Sequence, residues 1–198
     1  RLSFGGNALI TESEPIELIG TLPFTLPFAR VKSESDTLDM KVNVKNEGLG
    51  IINILTPAIA WETGKGNLQL SIGGTLKNPI AEGIAQVENA TLKARAFPEP
   101  LTGLTGTIRF VGDRINIEGL NGLFSRGKIN VKGVIPLAES FFPNDPDLAN
   151  PVRVSFDQLD LNLKGVYQGG VTGLLEVKGT ALNPKVSGEI QLYKGQVF

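Results

Sequence analysis

Residues 68–87 read Leu-Gln-Leu-Ser-Ile-Gly-Gly-Thr-Leu-Lys-Asn-Pro-Ile-Ala-Glu-Gly-Ile-Ala-Gln-Val, and residues 173–192 read Gly-Leu-Leu-Glu-Val-Lys-Gly-Thr-Ala-Leu-Asn-Pro-Lys-Val-Ser-Gly-Glu-Ile-Gln-Leu. The segment Gly74-Thr75-Leu76-Lys77-Asn78-Pro79, followed by Gly83, returns 105 residues later (179 − 74) as Gly179-Thr180-Ala181-Leu182-Asn183-Pro184, followed by Gly188. The register holds without a gap, so Leu70 falls on Leu175, Ile72 on Val177 and Val87 on Leu192. Gly74, Asn78, Pro79 and their counterparts Gly179, Asn183, Pro184 mark turns, because Pro fixes φ and Asn tolerates unusual backbone angles. Apolar and polar residues alternate on both sides of each turn, which predicts two strands meeting there.

The same two-residue period extends outward over most of the chain. Leu38, Met40, Val42 and Val44 alternate with charged and amide residues, as do Leu68, Leu70 and Ile72. Ile108 and Phe110 flank Arg109, Ile115 and Ile117 flank Asn116, and Ile129 and Val131 flank Asn130. The period returns in Val152/Val154/Phe156, Leu159/Leu161/Leu163, Leu175/Val177 and Ile190/Leu192. Each such segment has one greasy face and one wet face. Between Phe156 and Leu159 the phase slips by one residue, which predicts a bulge near Asp157-Gln158. A second pair of anchors, Ile16-x-Leu18-x-Gly20-x-x-Pro23 and Ile129-x-Val131-x-Gly133-x-x-Pro136, is offset by 113 (129 − 16). An apolar insertion over residues 48–56 accounts for the difference, and the spacing of Leu49, Ile52 and Leu55 predicts a short helix in it. The chain therefore divides into two copies of one unit, residues 1–98 and 99–198, within one continuous elongated sheet. Pro/Asp/Asn-rich loops, Phe24–Thr37 and Leu137–Pro151, open the two units.

Composition removes several function classes. The chain has 198 residues with 19 basic against 20 acidic groups, so a nucleic-acid binder with a basic stripe is not expected. It has neither Cys nor His, which excludes disulfides, thiol chemistry, His bases and Cys/His zinc sites. The 24 Gly and 12 Pro suit short strands and turns. The most apolar stretch, Gly48–Trp61, is interrupted by Asn53, Thr56 and Pro57 and is shorter than the ~20 residues of a membrane span. Both ends, Arg1–Phe4 and Gly195–Phe198, are strand-like, as expected of a piece of a longer protein. Gly5-Gly6, Gly48-x-Gly50, Gly73-Gly74 and Gly169-Gly170 lack the Lys-Ser/Thr of a phosphate loop and read as turns and strand ends. Asp145, Asp147, Asp157 and Asp160 lack the ligand density of a calcium loop. No metal or cofactor is expected.

What remains is the apolar face. A sandwich core in which two sheets hide their greasy faces explains it, and pattern alone favours that explanation. The other explanation is one sheet curled into a trough that stays open to apolar ligands.

Segments of the form G-x-L-x-L-x-x-x-G-T-x-x-N-P-x-x-x-G-x-I-x-L-x-x-G, over Gly66–Ala90 and Gly173–Val197, resemble the TamB family of AsmA-like proteins. The stretch Leu101–Ile108 leading to Gly127-x-Ile129-x-Val131-x-Gly133-x-Ile135-Pro136 is similar to lead-in strands of that domain, and Gly165–Gly173 resembles cyanobacterial and plastid members. The resemblance implies an all-β, elongated, U-shaped (taco-like) sheet with a hydrophobic inner surface. It also implies a non-catalytic bridge between inner and outer membranes, anchored to the inner one by parts absent from this soluble stretch. The same resemblance implies contact with an Omp85-class outer-membrane barrel through the full-length protein, and roles in barrel-protein assembly, translocation and phospholipid movement. The expected location is the periplasm or inter-membrane space. The lining of such a lipid groove would comprise Leu38, Met40, Val42, Val44, Leu68, Leu70, Ile72, Ile108, Phe110, Ile115, Ile117, Ile129, Val131, Leu175, Val177, Ile190 and Leu192, with acyl chains as the ligand. Two alternatives stand beside it: a chaperone-like scaffold that pairs its sheet edges with nascent barrel strands, and a β-solenoid carbohydrate-active protein using scattered acids.

Overall fold

The computed structural model describes residues 2–11, 14–22, 36–51, 53, 59–75, 77–95, 99–139, 150–181 and 183–198. Alternation becomes strand throughout these segments. The strands are β1 (Leu2–Thr11), β2 (Glu14–Leu22), β3 (Asp39–Val44), β4 (Ile59–Gly74), β5 (Pro79–Ala94), β6 (Leu101–Gly112), β7 (Arg114–Phe124), β8 (Gly127–Pro136), β9 (Val152–Leu163), β10 (Tyr167–Gly179) and β11 (Pro184–Val197). All eleven form one antiparallel sheet in chain order, and β1 and β11 are its two edges. The sheet does not close into a barrel, since its edges do not pair. Nor do the described residues form the two facing sheets that alternation alone favours. Short connections explain most of these neighbours, since a strand followed by a tight turn returns beside its predecessor.

The two repeat turns have the same hydrogen bonds. Thr75 N–H donates to the Asn78 carbonyl (3.0 Å), and Asn78 N–H donates to Thr75 Oγ1 (3.1 Å). In the second turn Thr180 N–H donates to the Asn183 carbonyl (3.3 Å), and Asn183 N–H donates to Thr180 Oγ1 (3.0 Å). Gly74 and Gly179 open the turns at φ +79° and +83°, a region that penalises any side chain. Leu182, between Thr180 and Asn183, lies outside the described residues.

At 16 residues β4 and β5 are longer than ordinary strands, and bulges interrupt them. The predicted bulge is present: pairing of β9 with β10 shifts between Val171 and Gly173, and Gln158 has φ +54°. It is one of several. β5 shifts between Val87 and Ala90 around Asn89 (φ +48°), β7 between Ile117 and Leu120, and β11 at Lys194 (φ +49°). The extra residue is tied to its neighbour strand. Asn89 N–H donates to Thr105 Oγ1 (3.0 Å), and Gln158 N–H donates to Thr172 Oγ1 (3.2 Å). Each bulge bends its strand and exchanges the two faces, so the apolar series restarts one residue later.

In the insertion a 3-10 helix spans Asn46–Ile51 and Asn53 is α-helical, while Ile52 and Leu55 lie outside the described residues. Leu49 packs over Gly66 of β4 and leaves no room there for a β-carbon. β3 meets β4 only from Val44↔Leu68 onward, so the earlier part of β4 needs another partner. Asn53 supplies one: its Nδ2 donates to the Trp61 carbonyl (2.9 Å), and its Oδ1 accepts from Trp61 N–H (2.5 Å). Of the unit-opening loops, residues 24–35 and 140–149 fall outside the described set.

Candidate functional site: an apolar face across ten strands

Residues directly opposite in antiparallel pairs share a face, so the registers show which side chains stand together. One row runs Leu18↔Val42↔Leu70↔Gly83↔Phe110↔Ile115↔Ile135 from β2 to β8. A second runs Val44↔Leu68↔Ala85↔Ile108↔Ile117↔Gly133. A third runs Met40↔Ile72↔Ala81, and Leu38, just before β3, is held by its N–H to the Gly74 carbonyl (2.9 Å). Toward the other edge the rows are Val131↔Val154↔Leu175↔Gly188, Ile129↔Phe156↔Gly173↔Ile190, Val152↔Val177↔Val186 and Leu159↔Val171↔Leu192. Sixteen of the seventeen residues named from the sequence, all but Leu38, fall in these rows and so share a face. None of the residues in these rows is charged.

Small residues interrupt several of the rows. Leu70 and Phe110 flank Gly83, Leu68 and Ile108 flank Ala85, and the Phe156 ring lies over Gly173. Ala81 is 3% exposed, whereas Gly83, Ala85 and their neighbours Leu70 and Phe110 are half-buried. Phe124, Phe156, Leu159, Tyr167 and Val171 form the buried cluster, with Leu101, Ile129, Val154, Leu161 and Leu175 packed on it. Tyr167 has the cluster's one hydroxyl, which donates to the Gly170 carbonyl (2.8 Å). Toward β11 the face opens, with Val186 63%, Ile190 55% and Leu192 53% exposed.

The opposite face carries the charged groups, interspersed with exposed apolar residues such as Ile19, Val111 and Leu174. Arg109 pairs with Glu118, Arg126 with Asp160 (3.6 Å), and Glu176 accepts from both Lys178 (3.0 Å) and Arg153 (3.2 Å). Lys178 first and Arg153 second, through these contacts, hold the Glu176 carboxyl below its ordinary range. Open clefts on this face include one of about 660 Å³ lined by Arg126, Asp160, Asn162, Gln168 and Lys194, and one of about 530 Å³ lined by Glu17, Ile19, Lys41, Asn43 and Gln69. Among the described residues no group of acids is placed to hold a metal ion. No described helix is long and apolar enough to cross a membrane.

Several members of the apolar face were not named as lining from the sequence. Phe156, Leu159, Leu161, Tyr167 and Val171 belong to it, and so does the small row Ala81, Gly83 and Ala85. The signal for the first group was the phase slip: once Gln158 is removed from the count, Leu159 and Leu161 continue the Val154/Phe156 series. The Ala/Gly row had no such signal, because small residues do not announce an apolar face by hydrophobicity. In chemical terms the face offers a continuous apolar surface for dispersion and exclusion of water, and its rows hold no carboxylate, amine or guanidinium.

Residues 118–198 match the model of the TamB C-terminal domain. The chain is 27% identical over 166 residues to Protein SUBSTANDARD STARCH GRAIN 4, chloroplastic, of Oryza sativa subsp. japonica, covering 83% of this chain and 8% of that one. It is 27% identical over 160 residues to Protein TIC236, chloroplastic, of Arabidopsis thaliana, covering 80% of this chain and 7% of that protein. The chain thus spans less than a tenth of the length of these relatives. No solved structure matches it.

Proposed function

From the match of residues 118–198 to the TamB C-terminal domain, we propose that this chain is a non-catalytic segment of a bridge between two membranes. It occupies the inter-membrane space of a double-membrane envelope, the periplasm or its plastid counterpart, and is tethered to the inner membrane through a longer protein. Its apolar face carries phospholipid acyl chains, and the full-length protein meets an Omp85-class barrel in the outer membrane. The observation behind this reading is the set of charge-free rows crossing all strands from β2 to β11. Taking an acyl chain through water costs about 0.8 kcal/mol per methylene, hence ~12 kcal/mol for a sixteen-carbon tail. An aliphatic surface lowers that cost at every step without binding tightly anywhere. Ten strand-to-strand spacings of about 4.8 Å make the path on the order of 50 Å.

The test is native mass spectrometry with lipid extraction on the purified chain. Leu70→Arg places a charge in the longest row and is expected to lower recovered lipid severalfold while the far-UV spectrum keeps its β signature. Undiminished lipid in a folded variant would remove the reading. A second role, support of outer-membrane protein assembly and translocation, draws on the exposed last strand. Crosslinks from nascent barrel strands that land on β11 and not on the Leu70 row would favour it.

A further inference from the structure

The pairing pattern of β1–β5 recurs in β7–β11. Leu18↔Val42↔Leu70↔Gly83 corresponds to Val131↔Val154↔Leu175↔Gly188, and Phe4↔Gly20 corresponds to Ile117↔Gly133. Backbone angles follow the same correspondence: Asn89 and Lys194, 105 residues apart (194 − 89), have φ +48° and +49°. Gly83 and Gly188 have φ +158° and +150°. In the first series β5 is followed by β6, which covers its far edge with Phe110 opposite Gly83 and Ile108 opposite Ala85. The second series ends at β11, whose far edge has no strand on it.

We infer that the sheet has a period of six strands and that the free edge of β11 is a docking site for one antiparallel strand of the β6 type. The occupant is the sixth strand of the repeat, placed in the register that β6 takes on β5. It sets a large apolar side chain opposite Gly188, as Phe110 stands opposite Gly83, and another opposite Ile190, as Ile108 stands opposite Ala85. It also brings a threonine hydroxyl to the Lys194 bulge, as Thr105 does to Asn89. The exposed face of β11 then acquires the cover that β5 already has. A second copy added through its β1, with the apolar faces level, would make a parallel pair, because β1 and β11 run in the same direction. A two-fold copy joined β11 to β11 would be antiparallel, and it is the competitor that a persistent homodimer in the crosslinking test would reveal. The inference is independent of what the apolar face carries.

The natural chain has no cysteine, so one introduced thiol reports alone. Residues opposite each other in adjacent strands have β-carbons about 5 Å apart, within reach of a disulfide. The probe is a synthetic peptide of residues 101–112 carrying Ile108→Cys, mixed under mild oxidation with the full 198-residue chain carrying Ile190→Cys. The disulfide yield is expected to exceed that with Glu189→Cys by about tenfold, because a one-residue slip turns every side chain to the wrong face. A peptide that also carries Phe110→Ala is expected to crosslink severalfold less. Equal yields at both positions, no crosslink at either, or an Ile190→Cys homodimer that excess peptide fails to suppress would each overturn the inference. Ile190 is more than half exposed, so the variant keeps its fold.

Discussion

The β4–β5 and β10–β11 hairpins are the same backbone object in two settings. They share the Gly-Thr-x-x-Asn-Pro turn, the same bulge shifts, between Thr63 and Lys65 in one and between Gln168 and Gly170 in the other, and left-handed residues at Asn89 and Lys194. Their burial differs sharply. Ala81 of β5 is 3% exposed, whereas Val186, its counterpart in β11, is 63% exposed. The local sequence of each hairpin sets its shape, and the neighbour on its far side sets how much of its apolar face water can reach. Burial in such an array belongs to the stack and not to the repeat.

The comparison can be broken most directly at its largest expected difference. Phe156→Ala in the buried cluster is expected to cost about 3–4 kcal/mol, by removal of a ring that fills the space over Gly173. Ile190→Ala, one strand beyond that glycine and half exposed, is expected to cost under ~1 kcal/mol. Urea midpoints of the two variants at constant m-value test this. Similar losses would mean that β11 is as well covered as β9.

A smaller effect separates the two bulges. Lysine in the left-handed region carries a steric penalty that asparagine largely escapes. Lys194→Gly should therefore raise stability by about 0.5 kcal/mol more than Asn89→Gly, read by the same denaturation. The Thr105 hydroxyl that accepts from Asn89 N–H remains available in either case.

The smallest effect is electrostatic and exists in one hairpin alone. Glu176 has Ser71 as its counterpart 105 residues earlier (176 − 71), so the first hairpin lacks the Lys178–Glu176–Arg153 arrangement. The Glu176 carboxyl is held below its ordinary value in the folded chain, so its contribution is present above the unfolded pKa of about 4.3 and fades as pH falls through the lower folded value. The Glu176→Gln variant is expected to be slightly less stable than the natural chain at pH 7 and equal to it once the carboxylate is protonated. High salt should shrink the difference, since all three groups face water.

Much of the architecture was legible because the relevant signals are local. Leu68/Leu70/Ile72 and Leu175/Val177 declared strands by their period, and the repeated Asn-Pro turns declared how those strands connect. The slip between Phe156 and Leu159 located a bulge correctly. Equivalent slips at Asn89 and between Ile117 and Leu120 were written just as locally, but glycine and alanine on the apolar side of β5 hid the first of them. The insertion showed its spacing but not its partner: the Leu49 side chain packs over Gly66 of β4, a contact that no local period contains. The Asn53 clamp on Trp61 was equally invisible, since it answers to an edge left bare by the shortness of β3.

The order of residues by itself determined that this protein is built of strands, where they turn, and that each has one oily side, because alternation and turn chemistry act over a few bonds. Whether those oily sides would face one another in two sheets or lie together on one was beyond it, since both arrangements satisfy the same alternation. Tertiary structure decided for a single sheet through the long-range registers that place Leu18, Val42, Leu70 and Phe110 in one row. It alone decided which part of that surface is covered and which is open, because exposure depends on the strand next door.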